Sequence, residues 1–588
     1  MMRNLVGMLC GALVLAGCAT TADRGASRAP APVEVTLIAL NDFHGNLEAP
    51  RRAITAPADA NGPEVQVPAG GAAHLAAAIQ AIRDRSPNNL TVAAGDLVGA
   101  SPLISSLFLD EPTVLAMNLM RLDFNAVGNH EFDRGSAELL RLDRGGCERL
   151  STRDPCVVDP DFGGADFAFL AANVLNADRS PLLPAYGIRR FGTGRGEVAI
   201  GVIGMTLKET PTLVTPEGVA GLTFEDEAET VNALIPRLQA EGADAIVVLI
   251  HQGLTFRGPY SAKTCEGVDG DLMQILRRLS PEVDVVVSGH THQTYNCDFA
   301  TIDPTRPFIV TSAGSAGTLL TEIKLTVDPV RGVTARSADM HIVQGDGYRG
   351  SQGQVQPTDR FPRYTPEPRV AALVERYRVA ARPLAERVVG SLDGPALRAD
   401  APSGESVLGD LIADGQLAAT RAHGAQVAFV NKGGVRADLI PAANGEVTYG
   451  QIYAVQPFGN VIALRTLTGA QLKAVLEQQW NSGTNTVERP QMLNPSAGFT
   501  YSYDLSRPAG QRVFDMRLNG APITDTSVIR IAAPSFLLSG GDNFTAWSAG
   551  TDPVGGPLDV DALEAWLRAN PRLTPPAADR IRNLTPAP

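Results

Sequence analysis

Five short apolar runs in the N-terminal half of the chain each end in a turn that carries side chains able to bind metal. The runs are VEVTLIAL before Asn41, LTVAA before Gly95, FNAV before Gly128, AIVVLI before His251 and VDVVVS before Gly289. Runs of this kind, bounded by glycine or polar turns, are typical of buried strands. Because strand ends gather on one edge of a sheet, the side chains that follow can converge. They are Asp42, His44, Asp96, Asn129, His130, His251, His290 and His292.

The recurrence of such side chains favours one shared site. Five of the eight histidines of the chain lie in these turns, although a single histidine is more often an exposed loop residue or a satisfied core residue. Two divalent ions about 3.5–4 Å apart need a bridging anion and can together activate a water for in-line displacement. Asp96 can bridge, while neutral imidazoles and the Asn129 amide fill the other positions. This ligand set suits zinc or manganese better than magnesium.

The length and composition of the chain indicate two domains with a linker. At 588 residues and 44% apolar content, the chain is too long for one compact core. We predict a first domain over 33–345, a linker over 346–387 and a second mixed domain over 388–588. In the linker, a helix should start at Arg369 and be kinked or ended by Pro383. A net charge of −13 disfavours nucleic acid as the partner, but a small anion can bind where metals and arginines reverse the local field.

The N-terminus has the features of an export signal. Arg3 precedes an apolar stretch that ends in Leu-Ala-Gly-Cys at Cys18. This ending resembles the lipobox of bacterial lipoproteins, in which the cysteine is lipidated and becomes the mature N-terminus. We therefore predict a signal over 1–18, a flexible tether over 19–32, and a periplasmic protein held at the outer membrane only through its lipid. The alternative is an ordinary secretory signal with an incidental cysteine.

Four cysteines remain after residue 18, namely Cys147, Cys156, Cys265 and Cys297. An even number in an oxidising compartment suggests disulfides, and the locally closed pairing of the first two and the last two is favoured. A structural zinc cluster is the competing interpretation, but the Cys-x-x-Cys spacing typical of such clusters is missing.

The blocks NDFHG, AAGDLVGAS, GNHEFDRG, LIHQG and SGHTHQ, in this order, resemble those of calcineurin-like metallophosphoesterases, specifically the 5'-nucleotidase family. The resemblance implies an α/β (α+β) protein: a four-layer β-sandwich flanked by helices, a linker helix and a C-terminal α/β substrate-binding domain. It also implies two metal sites that share Asp96. One would use Asp42, His44, Asp96 and His292, and the other Asp96, Asn129, His251 and His290.

The same resemblance separates His130 from the metal ligands. His130 would stabilise charge on the phosphoryl oxygens or assist the leaving group, with Asp133 orienting its ring. Asp133 is also explained as an acidic residue at a helix N-terminus, and the two explanations are compatible. No role is assigned to His74, His341 or His423.

Three turn-rich segments of the second domain bear on the substrate: NKGGVR, QPFGN and SFLLSGGDNF. From composition alone, Phe458 and Phe536 are ordinary core aromatics. The resemblance implies that they hold a nucleotide base between their rings, a contact that tolerates any base. It also places Asn431 and Arg436 near the phosphate and ribose, and Asp542 at the sugar hydroxyls.

One departure from the family concerns arginine. Members with nucleotidase activity carry a further Arg shortly before the helix that begins here near Glu405, whereas the segment ALRADAPSGES has only Arg398, too far upstream to align. The expected reaction is hydrolysis of nucleoside 5'-monophosphates to nucleoside and phosphate. The alternatives are nucleotide-sugar diphosphatase or 2',3'-cyclic-nucleotide phosphodiesterase activity, or an inactive nucleoside-binding surface lipoprotein.

Overall fold

A computed structural model describes residues 31–586, apart from 58–62, 152, 215, 257 and 351–352. The predicted export signal, Cys18 and nearly all of the predicted tether lie outside the described residues. Within the described ranges, no helix is both long and apolar enough to cross a membrane.

The N-terminal domain is built on two six-stranded sheets. The first has the strand order Gly332–Ile342, Leu319–Asp328, Val33–Leu40, Asn89–Ala93, Phe124–Ala126 and Ala168–Leu170. The second has the order Thr294–Asp298, Ile309–Ala313, Val285–Ser288, Ala245–Ile250, Val198–Met205 and Tyr186–Phe191. Two short antiparallel pairs accompany them: Arg52–Pro57 with Glu64–Ala69, and Val174–Leu175 with Thr223–Phe224.

Side-chain alternation along the strands explains the layers. In the first strand, Val35 and Leu37 face residues of the second sheet, whereas Ile38 and Leu40 face the helices on the outside. Both faces are apolar because both are covered, as expected for sheets with parallel central strands. The covering helices are Ala72–Arg85, Leu103–Ser106, Glu111–Leu119, Ser136–Arg144, Glu227–Ala240 and Leu272–Leu276. The predicted four-layer sandwich is confirmed.

All five apolar runs are strands, but they belong to two sheets rather than one. The runs before Asn41, Gly95 and Gly128 lie in the first sheet, and those before His251 and Gly289 in the second. Neighbouring members are parallel within each sheet. The carboxyl ends of both sheets lie at the same edge of the sandwich, so the turns still converge.

The linker helix runs over Pro368–Ala385 and buries Val370 and Tyr377 against the N-terminal domain. Glu367 caps its first turn by accepting the N–H of Val370. The helix continues past Pro383, which sequence reasoning had expected to kink or end it. Pro383 lies in the last turn, where a proline removes only one helical hydrogen bond. The helix therefore tolerates it and ends two residues later, at Ala385.

The C-terminal domain combines a five-stranded sheet with a four-stranded sheet. The larger has the order Leu493–Pro495, Val427–Asn431, Val528–Pro534, Val461–Thr468 and Thr551–Leu558, and the smaller Ala521–Pro522, Val513–Leu518, Phe499–Tyr503 and Ile581–Asn583. Two-stranded pairs are Val388–Ser391 with Glu446–Thr448, and Tyr348–Gly350 with Gly353–Val355 in the linker. The helices are Val407–Thr420, Tyr449–Val455, Gly469–Glu477, Ser535–Leu538 and Asp559–Ala569.

Disulfides and contacts between the two domains stabilise the arrangement of the chain. Disulfides join Cys147 to Cys156 and Cys265 to Cys297, the pairing favoured from the sequence. The two domains touch: Leu103 packs into an apolar cluster of the C-terminal domain. Arg489 donates to Asp271 across the domains at 2.7 Å.

Candidate metal centre and substrate cleft

The turns at the edge of the sandwich share an unusual backbone. Non-glycine residues rarely adopt a positive φ, and such conformations concentrate at functional sites. Five of the predicted metal ligands do so here: Asp42 (49°), His44 (47°), Asp96 (51°), His290 (69°) and His292 (56°). The turns thus point their side chains at one another instead of continuing the strands.

The first candidate group contains Asp42, His44 and His292, whose ligand atoms lie within 4.8 Å of one another. The Nε2 atom of His292 is 3.3 Å from Asp42 Oδ1 and 3.0 Å from the Nε2 atom of His44. The other ring nitrogen of His44 donates to the Gly99 carbonyl at 2.9 Å. This tautomer leaves an Nε2 lone pair aimed into the group, as a metal ligand requires.

The second candidate group contains Asp96, His251 and His290. His251 Nε2 is 3.0 Å from Asp96 Oδ2, and its Nδ1–H donates to the Ala94 carbonyl at 2.8 Å. Asn129 joins this group, because its Oδ1 lies 3.2 Å from His251 Nε2 and 3.1 Å from His290 Nδ1. Asp96 Oδ2 is also 3.6 Å from His44 Nε2, which places its carboxylate between the two groups.

The protonation states of these groups fit cations. Burial holds the pKa of His44 well below its usual value and lowers that of His290 to about 3, so both rings are neutral and can bind metal. Burial also disfavours a charged His251, but the adjoining Asp96 carboxylate outweighs it and raises the pKa of His251 to about 10. A cation bound to His251 therefore replaces a proton. Mixed imidazole, carboxylate and amide donors suit transition metals.

His130 and Asp133 lie beside the two groups as a pair. His130 Nδ1 is 2.9 Å from Asp133 Oδ2, and the backbone N–H of His130 donates to Asp96 Oδ1 at 2.9 Å. Burial lowers the pKa of His130, but Asp133 and Asp96 together raise it above its ordinary value. Asp133 also accepts the N–H of Ala100 at 3.0 Å. The Asp133 carboxylate thus contacts His130 and Ala100, and the residue lies three positions before the helix Ser136–Arg144.

Glu131 is a site residue that sequence reasoning left without a role. Its buried carboxylate accepts backbone N–H groups from Asp96 at 2.9 Å, Leu97 at 2.7 Å, Val98 at 3.3 Å and Gly128 at 2.5 Å. Burial and the neighbouring Asp96 raise the pKa of Glu131 to about 7. These bonds fix the turns that carry Asp96 and Asn129. An acidic residue directly after His130 in the block GNHEFDRG was the available signal.

Asn41 was also missed. Its amide donates to Asp42 Oδ2 at 2.6 Å and to the Gly314 carbonyl at 2.7 Å, and its Oδ1 accepts the N–H of Ala313 at 2.7 Å. The Asp42 carboxylate is thereby tied to the second sheet. Asn41 stands directly before Asp42 in NDFHG, but its partners are distant in sequence.

The C-terminal domain brings its predicted residues to the same cleft. The Phe458 ring stacks on His130, with centroids 5.7 Å apart and an interplanar angle of 18°. The Arg436 guanidinium lies 5.8 Å from the centre of the Phe458 ring. Burial and the nearby Arg398 lower the pKa of Arg436, against the attraction of the Asp96 and Asp133 carboxylates. The cleft thus joins the two domains at His130.

The remaining predicted residues lie at a strand end and in short helices of the C-terminal domain. Asn431, at the end of its strand, donates to Asp542 Oδ2 at 2.7 Å. Asp542 itself has a positive φ of 51°. Phe536 is half-buried against the C-terminal core, and a Cβ on Gly541 would lie 2.5 Å from its ring, so only glycine fits there.

Arg398 occupies a position that the sequence could not assign. Its guanidinium donates to the backbone carbonyl of Arg436 at 2.9 Å. Arg398, which the sequence places too far upstream to match the family arginine, therefore lies beside Arg436.

Comparison with known proteins agrees with this two-part site. Residues 35–294 match the family model of calcineurin-like phosphoesterases, and residues 388–549 match that of the 5'-nucleotidase C-terminal domain. The chain belongs to the 5'-nucleotidase family of metal-dependent phosphoesterases. A 5'-nucleotidase precursor from Thermus thermophilus has the same fold with a TM-score of 0.70 and 25% identity, covering 94% of this chain and 99% of that one.

Two proteins to which this chain is similar are longer than it. Endonuclease YhcR of Bacillus subtilis is 28% identical over 91% of this chain, and cell wall protein Lmo0130 of Listeria monocytogenes is 30% identical over 90%. The chain spans 40% of the length of the first and 65% of the second.

Proposed function

We propose that this chain hydrolyses the phosphomonoester bond of nucleoside 5'-monophosphates at a centre of two divalent metal ions. The observation that carries the proposal is the position of Asp96, between two groups of potential ligands and next to the His130–Asp133 pair. Residues 33–345 would form the catalytic domain and 388–588 the substrate-binding domain, joined by the linker 346–387. The match to a 5'-nucleotidase precursor over nearly the whole chain supports this choice.

The ligand assignment follows the two groups. Asp42, His44 and His292 would hold one ion, Asn129, His251 and His290 the other, and Asp96 both. When bound, the ions supply an activated water and neutralise developing charge at phosphorus. His130, kept protonated more readily by Asp133, would donate to the phosphoryl or leaving oxygen. Zinc and manganese fit the donors better than magnesium does.

The C-terminal side chains would bind the nucleoside. Phe458 and Phe536 can hold a base by stacking, which favours a broad range of bases. Arg436 is chemically suited to phosphate oxygens because its planar fork matches their geometry. With one carboxylate oxygen oriented by Asn431, Asp542 can accept a sugar hydroxyl with the other.

A specific observation also favours a second activity on phosphodiester or diphosphate bonds. Arg398 and Arg436 lie together, so the cleft offers positive charge for a second phosphate. One relative is named an endonuclease. Product analysis with UDP-glucose and 2',3'-cyclic AMP separates this activity from monophosphate hydrolysis. An inactive nucleoside-binding lipoprotein would instead bind nucleosides without releasing phosphate.

We further propose that the protein is exported to the periplasm and anchored to the outer membrane through a lipid on Cys18. Two disulfides are typical of oxidising compartments, and one relative is named a cell wall protein. Replacement of Cys18 by Ser should move the full-length protein from the membrane fraction to the soluble periplasmic fraction. Retention of the C18S variant on membranes would contradict a lipid anchor.

The central test is phosphate release by the purified protein. After treatment with chelator, the protein should be inactive, and zinc or manganese should restore hydrolysis of AMP, GMP, CMP and UMP. His130→Ala should remain nearly inactive with either metal. Hydrolysis that survives chelation, or an undiminished rate in His130→Ala, would overturn the mechanism.

A further inference from the structure

A loop closed by a disulfide reaches from the N-terminal domain towards the substrate cleft. Cys147 and Cys156, nine residues apart, close it. The backbone N–H of Cys156 donates to Glu111 Oε1 at 3.0 Å, and the same oxygen accepts from Arg141 at 2.8 Å. Glu111 is fully buried, so the loop is attached to the helices that cover the first sheet.

Arg153 in this loop bridges the two domains. One guanidinium nitrogen, Nη1, donates to the Ser106 carbonyl at 2.5 Å, and Nη2 donates to the Tyr453 hydroxyl at 3.1 Å. The guanidinium carbon also lies 5.4 Å from the centre of the Tyr453 ring. The Ser106 carbonyl accepts a second bond from Arg134 at 3.2 Å, and Arg134 directly follows Asp133. The Ser106 carbonyl, to which Arg153 is bound in the N-terminal domain, is therefore linked through Arg134 to the chain segment that carries the His130–Asp133 pair.

Tyr453 links Arg153 to the backbone next to Phe458, at the proposed nucleoside end of the cleft. Its side chain is 2% exposed, and its hydroxyl donates to the Pro457 carbonyl at 3.0 Å. A hydroxyl that accepts one bond and donates another strengthens both. The Pro457 carbonyl belongs to the peptide group that leads into Phe458. Fixing that peptide plane fixes the direction in which the Phe458 ring leaves the backbone.

Phe458 needs such support because its ring is only half-buried. It stands against His130 of the other domain, and its own domain contributes the Arg436 contact. A partly exposed ring on a turn moves with the backbone that carries it, so a hydrogen bond to the Pro457 carbonyl restricts where the Phe458 ring can lie. The Tyr453 bond lies within the C-terminal domain, whereas the Arg153 bond that orients the Tyr453 hydroxyl forms only while the two domains are in contact.

We propose that Arg153 is a positioning residue for the nucleoside: through Tyr453 and the Pro457 carbonyl, it holds Phe458 in the orientation that stacks on the base. This inference rests on the proposed nucleotide substrate. It assigns the disulfide-closed loop of the catalytic domain a part in recognising the base, without contact to the phosphate or the metals.

The test compares a nucleotide with a phosphate ester that lacks a base. Arg153→Ala, Tyr453→Phe and the double variant are measured with AMP, with p-nitrophenyl phosphate, and for adenosine affinity by calorimetry. Loss of one charge-assisted hydrogen bond should raise KM for AMP and Kd for adenosine by about threefold to tenfold. The kinetic constants for p-nitrophenyl phosphate should change less than those for AMP, because the Phe458 ring is misoriented but still covers His130. The double variant should be no worse than the single ones, because all remove the same connection.

Two further variants separate positioning from general disturbance of the loop. Arg153→Lys retains a charged donor and should recover part of the adenosine affinity. Arg144→Ala removes an exposed arginine just before the loop and should leave KM for both substrates unchanged.

The results distinguish this inference from the function on which it rests. Failure of the wild type to hydrolyse either substrate would refute the proposed function, while adenosine affinity would still measure the positioning. Unchanged adenosine affinity in Arg153→Ala, equal losses on both substrates, or no adenosine binding by the wild type would each refute the role of Arg153.

Discussion

The proposed metal end of the cleft, which holds the groups around Asp42 and Asp96, and the proposed nucleoside end, which holds Phe458 and Phe536, are held in different ways. At the metal end, side chains leave the ends of buried strands, and backbone carbonyls orient the imidazoles of His44 and His251. At the nucleoside end, Phe458 is half-buried on a turn and Phe536 is half-buried in the short helix Ser535–Leu538, and Phe458 stands against a residue of the other domain. One end is preorganised by the backbone of a single domain, and the other is assembled where two domains meet.

This difference predicts which kinetic constant a substitution at each end should change. A change at the metal end should reduce kcat for every phosphate ester, with or without a base. A change at the nucleoside end should raise KM for nucleotides and spare p-nitrophenyl phosphate. Each prediction below tests that division.

The largest effect is expected at Asp96, the carboxylate shared by both groups. In Asp96→Asn, the side chain keeps its shape but loses the charge that offsets the repulsion between two cations. We expect kcat to fall by at least about a thousandfold on AMP and p-nitrophenyl phosphate alike. Bound metal, measured by elemental analysis, should fall below two ions per chain. Asp359→Asn, at a carboxylate with 95% side-chain exposure, is the matched control. Full metal content with normal turnover would remove Asp96 from the centre.

The next effect concerns His130 and its partner. His130→Ala should lower kcat by about a hundredfold to a thousandfold on both substrates. Asp133→Asn should cost less, about tenfold, since the histidine remains.

The pH profile gives this pair a second, directional test. Asp133 raises the pKa of His130, so Asp133→Asn should lower it. If the protonated ring is the active form, kcat falls as pH rises through this pKa. The alkaline fall of the profile should therefore move to lower pH in Asp133→Asn. A profile that is unchanged, or that moves to higher pH, would contradict the assigned role.

The same contrast explains how far sequence reasoning reached. The predicted metal ligands sit within a few residues of apolar strands, so a local pattern was enough to predict them, and the four-layer fold came from the resemblance that those blocks carry. The membership of the strands in two sheets was not visible, because parallel strands in either sheet have the same apolar pattern. Arg398 was not placed, because it meets Arg436 across 38 residues through a backbone carbonyl. A backbone carbonyl is present at every position, so the sequence does not show which one a side chain will contact.

Glu131 is the clearest example of a residue whose partners are all backbone groups, and it gives the third prediction. Its carboxylate accepts N–H groups from four residues, among them Asp96. In Glu131→Gln, an NH2 group would face those donors, so the turn that carries Asp96 should shift. We expect kcat to fall by about tenfold to a hundredfold on both substrates, with weaker metal affinity, as for other residues that support metal ligands. Glu375→Gln, on the exposed side of the linker helix, is the control. Metal titration that matches the wild type would show that the turn is held without Glu131.

The smallest effect on turnover should come from Phe536. Phe536→Ala removes one stacking surface for the base, worth about 1–3 kcal/mol, so KM for AMP should rise by roughly fivefold to a hundredfold. Turnover of p-nitrophenyl phosphate should be unchanged within about twofold. Equal losses on the two substrates would mean that Phe536 supports the fold of the cleft instead of binding the base.

Phe458→Ala provides the internal comparison, because this ring belongs to both ends. It should weaken AMP binding as Phe536→Ala does, but it also uncovers the face of His130 on which it stacks. We therefore expect Phe458→Ala to lower kcat on p-nitrophenyl phosphate as well, whereas Phe536→Ala should not. If both variants affect only nucleotides, the stacking on His130 has no part in catalysis and the two ends of the cleft work independently. If both lower turnover of the base-free ester, the division between preorganised metals and an assembled nucleoside site is wrong.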